Sequence, residues 1–128
     1  MTNPEELLLL AKNLRKGSNE VELRAAASRG YYALYHFAKT FHAGLLEPGA
    51  ATQHGAGGDH LDLAHRLKMP SMRVQSETPG AATKSRRIGV LLDSVRVTRH
   101  IADYNLGQAF GSDLADLVIH TAEKTFKI

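Results

Sequence analysis

The chain of 128 residues carries 16 Lys and Arg against 13 Asp and Glu, has seven histidines and lacks cysteine. This length suits one domain, expected over residues 1–128, with a single hydrophobic core. Without thiols, disulfides and thiolate metal sites are excluded. The N-terminal segment lacks the pattern of a signal peptide, and no apolar run is long enough to span a membrane, so we expect a cytoplasmic protein.

Positive charge is concentrated in one segment of the chain. Residues 65–100 contain eight Lys and Arg but only two acidic residues. A local basic excess favours phosphate, nucleic acid or an acidic protein as a partner. A solvated surface without a ligand is equally consistent with this composition.

The first two predicted helices follow directly from the N-terminus. Asn3 and Pro4 precede two acids, which is typical of a helix start, and this helix should end near Arg15. Ser18 is expected to cap the second helix. Apolar residues three or four apart give that helix one buried face: Leu23, Ala27, Gly30, Leu34, Phe37 and Phe41. Gly30 costs roughly 1 kcal/mol relative to Ala, and we expect it to permit a close approach of another helix.

The rest of the chain also has a helical pattern. Residues 45–58 indicate a loop, Asp59 begins a short helix, and residues 69–79 indicate a second loop. A long helix is predicted from about Thr83 to Tyr104, and a last helix begins at Gly111 and Ser112. No alternating strand pattern occurs. The sequence therefore predicts an all-α fold, an up-and-down bundle of four main helices plus a short one.

Between positions 28 and 36, polar and aromatic residues lie beside the apolar stripe of the second helix. Residues three or four apart share a helix face, so the apolar stripe is flanked on both sides. One side has Ser28, Tyr31 and Tyr35, and the other has Arg29, Tyr32 and His36. Such a surface can stack bases and bind phosphate. Alternatively, the tyrosines fill the edge of the core and send their hydroxyls to partners or water.

A second polar stretch ends the long helix. Arg96 and His100 are four residues apart, as are Arg99 and Asp103, and Tyr104 follows. Arginine can clamp a phosphate, and histidine can transfer a proton near neutral pH. Ordinary ion pairs on a helix surface would give the same spacing. Because all four tyrosines occur in these two stretches, we predict that the stretches form one cleft.

The two stretches resemble the HEPN family of small helical nucleotide-binding domains. Residues 24–41, RAAASRGYYALYHFAKTF, are similar to the signature helix of that family, and residues 99–104, RHIADY, are similar to its R-x-x-A-D-Y ending. The resemblance covers roughly residues 5–125. It implies an up-and-down helical bundle that usually dimerises around a polar cleft. Family members include metal-independent endoribonucleases, toxins neutralised by a nucleotidyltransferase-type antitoxin, and inactive binding modules.

This resemblance leads to alternative functional hypotheses. In the first, an RNA-directed endoribonuclease of the toxin or defence type uses these candidate catalytic residues: Arg96, Arg99, His100, Asp103 and Tyr104. Candidate binding residues are Ser28, Arg29, Tyr31, Tyr32, Tyr35, His36, Arg86 and Arg87. In the second, a non-catalytic module binds nucleotide, RNA or a partner protein through the same surface. In the third, the polar residues hold a helical dimer together. Active members have four to six residues between Arg and His, whereas Arg96 and His100 have three.

We predict neither a metal nor a cofactor. His60 and His65 are five residues apart, which does not suit one metal on a helix face, and the HExxH pattern is absent. His54 also lies near Asp59 and Asp62 in the sequence. The GAGG run at 55–58 lacks the Lys-Ser/Thr of a phosphate-binding loop and is expected to be a linker. The expected partners are a second copy of the chain, RNA or a nucleotide, and a nucleotidyltransferase-type antitoxin or another protein.

Overall fold

The computed structural model describes residues 2–52 and 58–128, and every regular element in these ranges is a helix. The helices, in chain order, are α1 (Pro4–Arg15), α2 (Glu20–Ala43), α3 (Gly58–Lys68), α4 (Met72–Glu77), α5 (Pro79–Tyr104) and α6 (Ser112–Phe126). The predicted all-α bundle is confirmed. None of the helices within the described ranges has both the length and the apolar character needed to cross a membrane.

Asparagine side chains cap the first two helices. The Asn3 side chain accepts a hydrogen bond from the Glu6 amide over 2.8 Å, as its position predicts. For α2 the expected cap was wrong by one residue: Asn19, not Ser18, accepts from the Glu22 amide over 2.8 Å. Both residue types cap well, so composition alone does not decide between neighbours.

The segment 69–79 is not the plain loop that its two prolines indicate. It contains α4, which the Ser71 hydroxyl caps by accepting from the Val74 amide over 3.1 Å. Val74 is fully buried and anchors this short helix. Pro79 then begins α5, four residues before the expected start at Thr83. Proline is compatible with the first turn of a helix because its missing N–H would have no partner there.

Helix α2 lies at the centre of the bundle. It packs against α1, α5 and α6, while α3 packs mainly against α5. A Cβ on Gly30 would lie 3.4 Å from Ile119 and from Val118, so α2 and α6 come close there, as expected. A closer approach is at Gly89 of α5, where an added Cβ would lie 2.9 Å from the Ala64 carbonyl oxygen of α3.

The C-terminal end of α5 is fixed to α2 by a buried arginine. Arg24 donates hydrogen bonds to the carbonyl oxygens of Ile101 at 2.8 Å and Ala102 at 3.2 Å, and to that of Gln108 beyond the helix. Its guanidinium also lies over the ring of Phe110, 5.3 Å from the centroid. The last carbonyls of a helix have no partner within the helix, so Arg24 positions the end that carries residues 99–104.

Candidate functional site

Arg99 of α5 lies among aromatic rings from α2 and α5. The guanidinium carbon is 5.6 Å from the ring centroid of Tyr31, 5.1 Å from that of Tyr32 and 5.5 Å from that of Tyr104. These distances are within the range of cation–π contacts. The predicted contact between the two polar stretches is therefore confirmed where Arg99 meets Tyr31 and Tyr32. We call the group formed by Tyr31, Tyr32, Tyr35, His60, Arg99, Asp103 and Tyr104 the tyrosine–arginine cluster.

The side chain of Arg99 is buried and held in one orientation. Its Nη2 donates a hydrogen bond to the Tyr32 hydroxyl over 2.7 Å. Its Nε lies 2.8 Å from Oδ2 of Asp103, but this N–H is not aligned for a hydrogen bond, so the contact is an ion pair. Burial alone would lower the pKa of Arg99. The neighbouring Tyr32 and Asp103 outweigh burial and raise that pKa, which keeps the guanidinium charged.

A serine of α2 completes the surroundings of the carboxylate. The Ser28 hydroxyl donates to Oδ2 of Asp103 over 3.3 Å, so one oxygen receives contacts from both α2 and α5. Ser28, Arg29, Asp103 and Leu106 contribute to the wall of a groove of about 420 Å³ between α2 and the end of α5. Arg29 itself is exposed. Ser28, a candidate binding residue, and Asp103, a candidate catalytic residue, are thus brought together, while Arg29 lies at the rim.

Tyr31 is completely buried, although its side chain is polar. Its hydroxyl lies 3.0 Å from Nδ1 of His60, which is the one hydrogen-bond partner of this hydroxyl among the described residues. Burial raises the pKa of Tyr31 well above its ordinary value, and the charge of Arg99 opposes this only in part. The phenol therefore stays protonated at all physiological pH values.

His60 joins the cluster from the first turn of α3, and sequence reasoning missed it. Its ring centroid lies 4.4 Å from that of Tyr35 and 5.4 Å from that of Tyr31. Burial lowers the pKa of His60, and the nearby charge of Arg99 lowers it further. The sequence offered no signal beyond a histidine at a helix start, because the packing of α3 on the bundle cannot be read from spacing within α3.

The outer part of the cluster is formed by side chains that reach solvent. Tyr35 is half-buried, and burial raises its pKa. His36 is exposed, with its ring centroid 5.5 Å from that of Tyr35 and 6.3 Å from that of Tyr32. On the α5 side, Tyr104 is 65% exposed. Within the described residues His36 makes no hydrogen bond to α5, so the predicted cleft has His36 at its edge.

Arg96 and His100 differ from each other in their surroundings. Arg96 donates to Asp93 over 3.1 Å, and Asp93 also accepts from Lys68 of α3 over 2.9 Å. Hydrogen bonds from Lys68 and then Arg96 lower the pKa of Asp93 against the effect of its burial. His100 is exposed, and its ring lies 4.9 Å from that of Tyr104. The two expected catalytic side chains therefore have separate partners.

Arg86 and Arg87 lie outside the cluster. Both are exposed near the start of α5, and Arg99 follows Arg86 by roughly 20 Å along the helix axis. Arg87 borders a different pocket of about 390 Å³, together with His120, Lys124 and Lys127 of the C-terminal region. A ligand that contacts both Arg87 and Arg99 would have to extend roughly 18 Å along α5.

His42, His65 and Asp62 have structural contacts. Nε2 of His42 accepts from the Gly49 amide over 3.1 Å, and Nδ1 of His65 lies 2.8 Å from the Ala50 carbonyl oxygen. Asp62 binds both Arg66 and Thr52, whose hydrogen bonds lower its pKa to about 2. In the part of the chain that the structure describes, no three His, Cys, Asp or Glu side chains are grouped as metal ligands. His54 and residues 55–57 lie outside the described residues.

Comparison of the chain with protein-family models, with curated proteins and with solved structures finds no match. The similarity of residues 24–41 and 99–104 to the HEPN family is therefore carried by those residues alone and stays a prediction. Function has to be inferred from the cluster itself.

Proposed function

We propose that the chain is an HEPN-like protein that binds RNA or a nucleotide through the tyrosine–arginine cluster. The observation that carries this proposal is the guanidinium of Arg99, which is fixed by Tyr32 and Asp103 beside three tyrosine rings. A fixed guanidinium recognises phosphate through its planar donors. Aromatic faces stack on bases of any sequence.

The exposed parts of the cluster suit a single strand better than a duplex. Tyr104 of α5, at 65% exposure, presents a ring that an unstacked base can cover. His36 of α2, which lies next to the cluster, is also exposed. Bases within a duplex are already stacked on one another and cannot use such rings. The basic excess of residues 65–100 would increase the rate of encounter with a polyanion at low salt.

Two carboxylates favour binding without catalysis. Asp103 is paired with Arg99, and Asp93 is paired with Arg96 and Lys68. A transition state of phosphoryl transfer gains most from preorganised positive charge that is not already compensated. With both arginines compensated, the cluster is better suited to hold RNA than to stabilise additional charge on a phosphate. A non-catalytic binding module is thus the form that the geometry supports best.

A metal-independent endoribonuclease is the second candidate. In it, Arg96 and Arg99 bind the scissile phosphate, and His100 transfers a proton at the 2′-hydroxyl or the leaving oxygen. The observation in its favour is the contact of His100 with Tyr104, 4.9 Å between ring centroids, because Tyr104 also contacts Arg99. A proton-transfer group would then lie beside the phosphate site.

The binding of a fluorescent single-stranded RNA, measured by anisotropy at several salt concentrations, tests the proposal. We expect Arg99→Lys and Tyr104→Ala to weaken binding, since one loses the planar donors and the other loses a stacking face. Arg73→Ala is the matched control, because Arg73 is an exposed arginine of α4 paired with Glu77. Equal affinity of all four proteins would contradict the proposal. Arg86→Ala tests whether RNA extends along α5.

Incubation of the same RNA with pure protein in EDTA separates the two candidates. The binding module leaves the RNA intact, whereas the endoribonuclease cuts it, and cutting should then be lost in His100→Asn. His100→Asn should leave the circular dichroism spectrum unchanged because His100 is exposed. RNA that is cut equally by both proteins would contradict the assigned role of His100.

The proposed protein partner is a second copy of the chain, in the cytoplasm. Val21 and Leu106, which are 78% and 74% exposed, border the groove next to Asp103, and an apolar rim of this kind is suited to association. Sedimentation at micromolar concentration should give twice the mass of 14.0 kDa. Val21→Glu should reduce this mass. A nucleotidyltransferase-type antitoxin is the further partner that the HEPN resemblance implies, and co-purification with such a protein would test it.

A further inference from the structure

His60 and Arg99 come from different helices and face the same two rings. The guanidinium carbon of Arg99 lies 5.6 Å from the Tyr31 centroid and 5.1 Å from the Tyr32 centroid. The His60 ring lies 5.4 Å and 6.1 Å from the same two centroids. The charge of Arg99 is near enough to lower the pKa of His60. Both side chains can therefore contribute to one binding site.

The hydrogen bond to Tyr31 determines which nitrogen of His60 carries the proton. A buried phenol has to donate its O–H, and the partner of the Tyr31 hydroxyl among the described residues is Nδ1 of His60, at 3.0 Å. Nδ1 is then the acceptor, and the proton of the neutral imidazole is on Nε2. His60 presents an N–H donor at Nε2, a nitrogen without a hydrogen-bond partner among the residues that the structure describes.

Arg99 also keeps donor capacity after its internal contacts are counted. Nη2 donates to Tyr32, and Nε faces Asp103. Nη1 makes no hydrogen bond to the described residues, although a guanidinium has five N–H donors. The two side chains thus offer donors and no acceptor. An oxyanion with several acceptor oxygens is the ligand that such a pair recognises.

We infer that Nε2–H of His60 and the guanidinium of Arg99 together bind one phosphate group, with His60 acting as a ligand-binding residue. The inference rests on the proposed function in that an RNA or nucleotide phosphate is the ligand. The charged and titratable groups that influence His60 are Arg96 and Arg99 from α5, Asp59 from α3 and His36 from α2. The two arginines favour an anion, and Asp59 opposes it.

Imidazole NMR of the protein labelled with ¹⁵N-histidine tests both parts of this inference with inorganic phosphate as the probe. At a pH of about 7.5, where imidazole is mostly neutral, the free protein should have the Nε2–H tautomer at His60. Phosphate should shift the Nε2 resonance of His60 and leave that of His65, whose Nδ1 lies 2.8 Å from the Ala50 carbonyl oxygen, unchanged. An Nδ1–H tautomer, or resonances that phosphate does not move, would overturn the inference.

A matched pair of variants adds a binding measurement that does not depend on labelling. Tyr31→Phe keeps the ring and removes the phenol, so the further change His60→Phe leaves no buried hydroxyl without a partner. We expect Tyr31→Phe/His60→Phe to bind phosphate and single-stranded RNA roughly tenfold or more weakly than Tyr31→Phe, as for the loss of a hydrogen bond to a charged group. Equal affinities of the two variants would overturn the role of His60.

The two ligands distinguish failure of this inference from failure of the proposed function. If RNA binds to the wild type but phosphate leaves His60 unaffected, the inference is wrong and RNA binding stands. If phosphate shifts His60 but RNA does not bind, the phosphate site is supported and the RNA proposal is wrong. If neither ligand binds, both are wrong.

Discussion

Arg24 of α2 donates to the Ile101 carbonyl oxygen over 2.8 Å, so the helix that carries Arg99 and Tyr104 ends on a buried arginine of another helix. The same guanidinium binds two more carbonyl oxygens and pairs with Glu20 over 2.9 Å. An apolar side chain cannot replace Arg24 in this role, because it has no hydrogen-bond donors for the carbonyl oxygens. Its removal leaves the carbonyls at the end of α5 without their donors.

We therefore predict that Arg24→Met destabilises the protein by about 2–4 kcal/mol, in the range for loss of a buried charged hydrogen-bond partner. The matched control is Arg15→Met. Arg15 pairs with Asp116, but both side chains are about a third exposed, so a much smaller loss than for Arg24→Met is expected. Urea unfolding followed by circular dichroism measures both values. Equal losses would mean that the contacts of Arg24 do not fix the end of α5.

The close approach of α3 and α5 at Gly89 gives a second prediction. Gly89→Ala places a methyl group 2.9 Å from the Ala64 carbonyl oxygen and the Leu67 Cβ, and the rigid backbone cannot move away cheaply. We expect a loss of about 1–3 kcal/mol from overpacking, although alanine is the better helix former. Because α3 carries His60, the Tyr31–His60 hydrogen bond should weaken as well.

Gly80 is the control for this substitution, since it is also in α5 and an added Cβ has no neighbour within 4 Å. Gly80→Ala should be neutral or stabilise the protein by up to about 1 kcal/mol. Thermal unfolding of the two variants side by side gives the comparison. A stabilised Gly89→Ala protein would show that the helices do not approach this closely.

One histidine in the last turn of α2 and one in the cluster make stability depend on pH. Burial lowers the pKa values of both His42 and His60, with further lowering by Arg66 and Arg99 respectively. The unfolded chain therefore takes up these two protons first as the pH falls. Stability should be constant above pH about 7, decrease as the pH falls through the ordinary value of 6.5, and level off below the folded-state pKa values.

Substitutions that keep the hydrogen bonds isolate this effect. His42→Gln replaces Nε2 by an amide oxygen towards the Gly49 amide, and His60→Asn replaces Nδ1 by an oxygen towards the Tyr31 hydroxyl. Urea unfolding between pH 8 and pH 5 should show a smaller decrease in the free energy of unfolding for the double variant than for the wild type. A parallel curve for the double variant would contradict the prediction.

Local patterns predicted most of the helices because the signals lie within each segment. Asn3 and Pro4 marked the start of α1, and the apolar stripe from Leu23 to Phe41 marked the buried face of α2. Helix α4 was missed because its stability depends on the burial of Val74 against the bundle, which is a tertiary effect. Pro79 was interpreted as a loop residue although a helix tolerates proline in its first turn.

The candidate site was predicted only in part. Clustering of tyrosines correctly indicated that Tyr31, Tyr32 and Tyr104 come together, around Arg99, since amphipathic helices of one bundle turn their flanking residues towards each other. Nothing in the sequence linked His60 to Tyr31, because they are 29 positions apart and lie on different helices. The spacing of residues along α5 also could not decide whether Arg86 belongs to the same site. Spacing indicates which face of a helix a residue occupies, but not how far a bound ligand extends.

Asp103 provides the sharpest test of how Arg99 acts. The carboxylate lies 2.8 Å from Nε of Arg99 and compensates its charge, so it competes with any phosphate for the guanidinium. Asp103→Asn keeps an oxygen for the Ser28 hydroxyl and removes only the charge. We predict that Asp103→Asn binds single-stranded RNA several-fold more tightly at low salt. The logarithmic salt dependence should also steepen by roughly 0.7, the value for one additional phosphate contact on a single strand.

The same substitution should cost stability, because Arg99 is buried and its charge would lose a partner. Affinity and stability are thus expected to change in opposite directions, which a general loosening of the fold would not produce. Asp116→Asn is the control, since it removes a carboxylate paired with Arg15 on α1 and should leave RNA affinity unchanged. The measurements are RNA anisotropy at several salt concentrations and urea unfolding of both variants. If Asp103→Asn weakens RNA binding while remaining folded, the carboxylate itself contributes to the ligand site, and Arg99 acts through its pairing with Asp103.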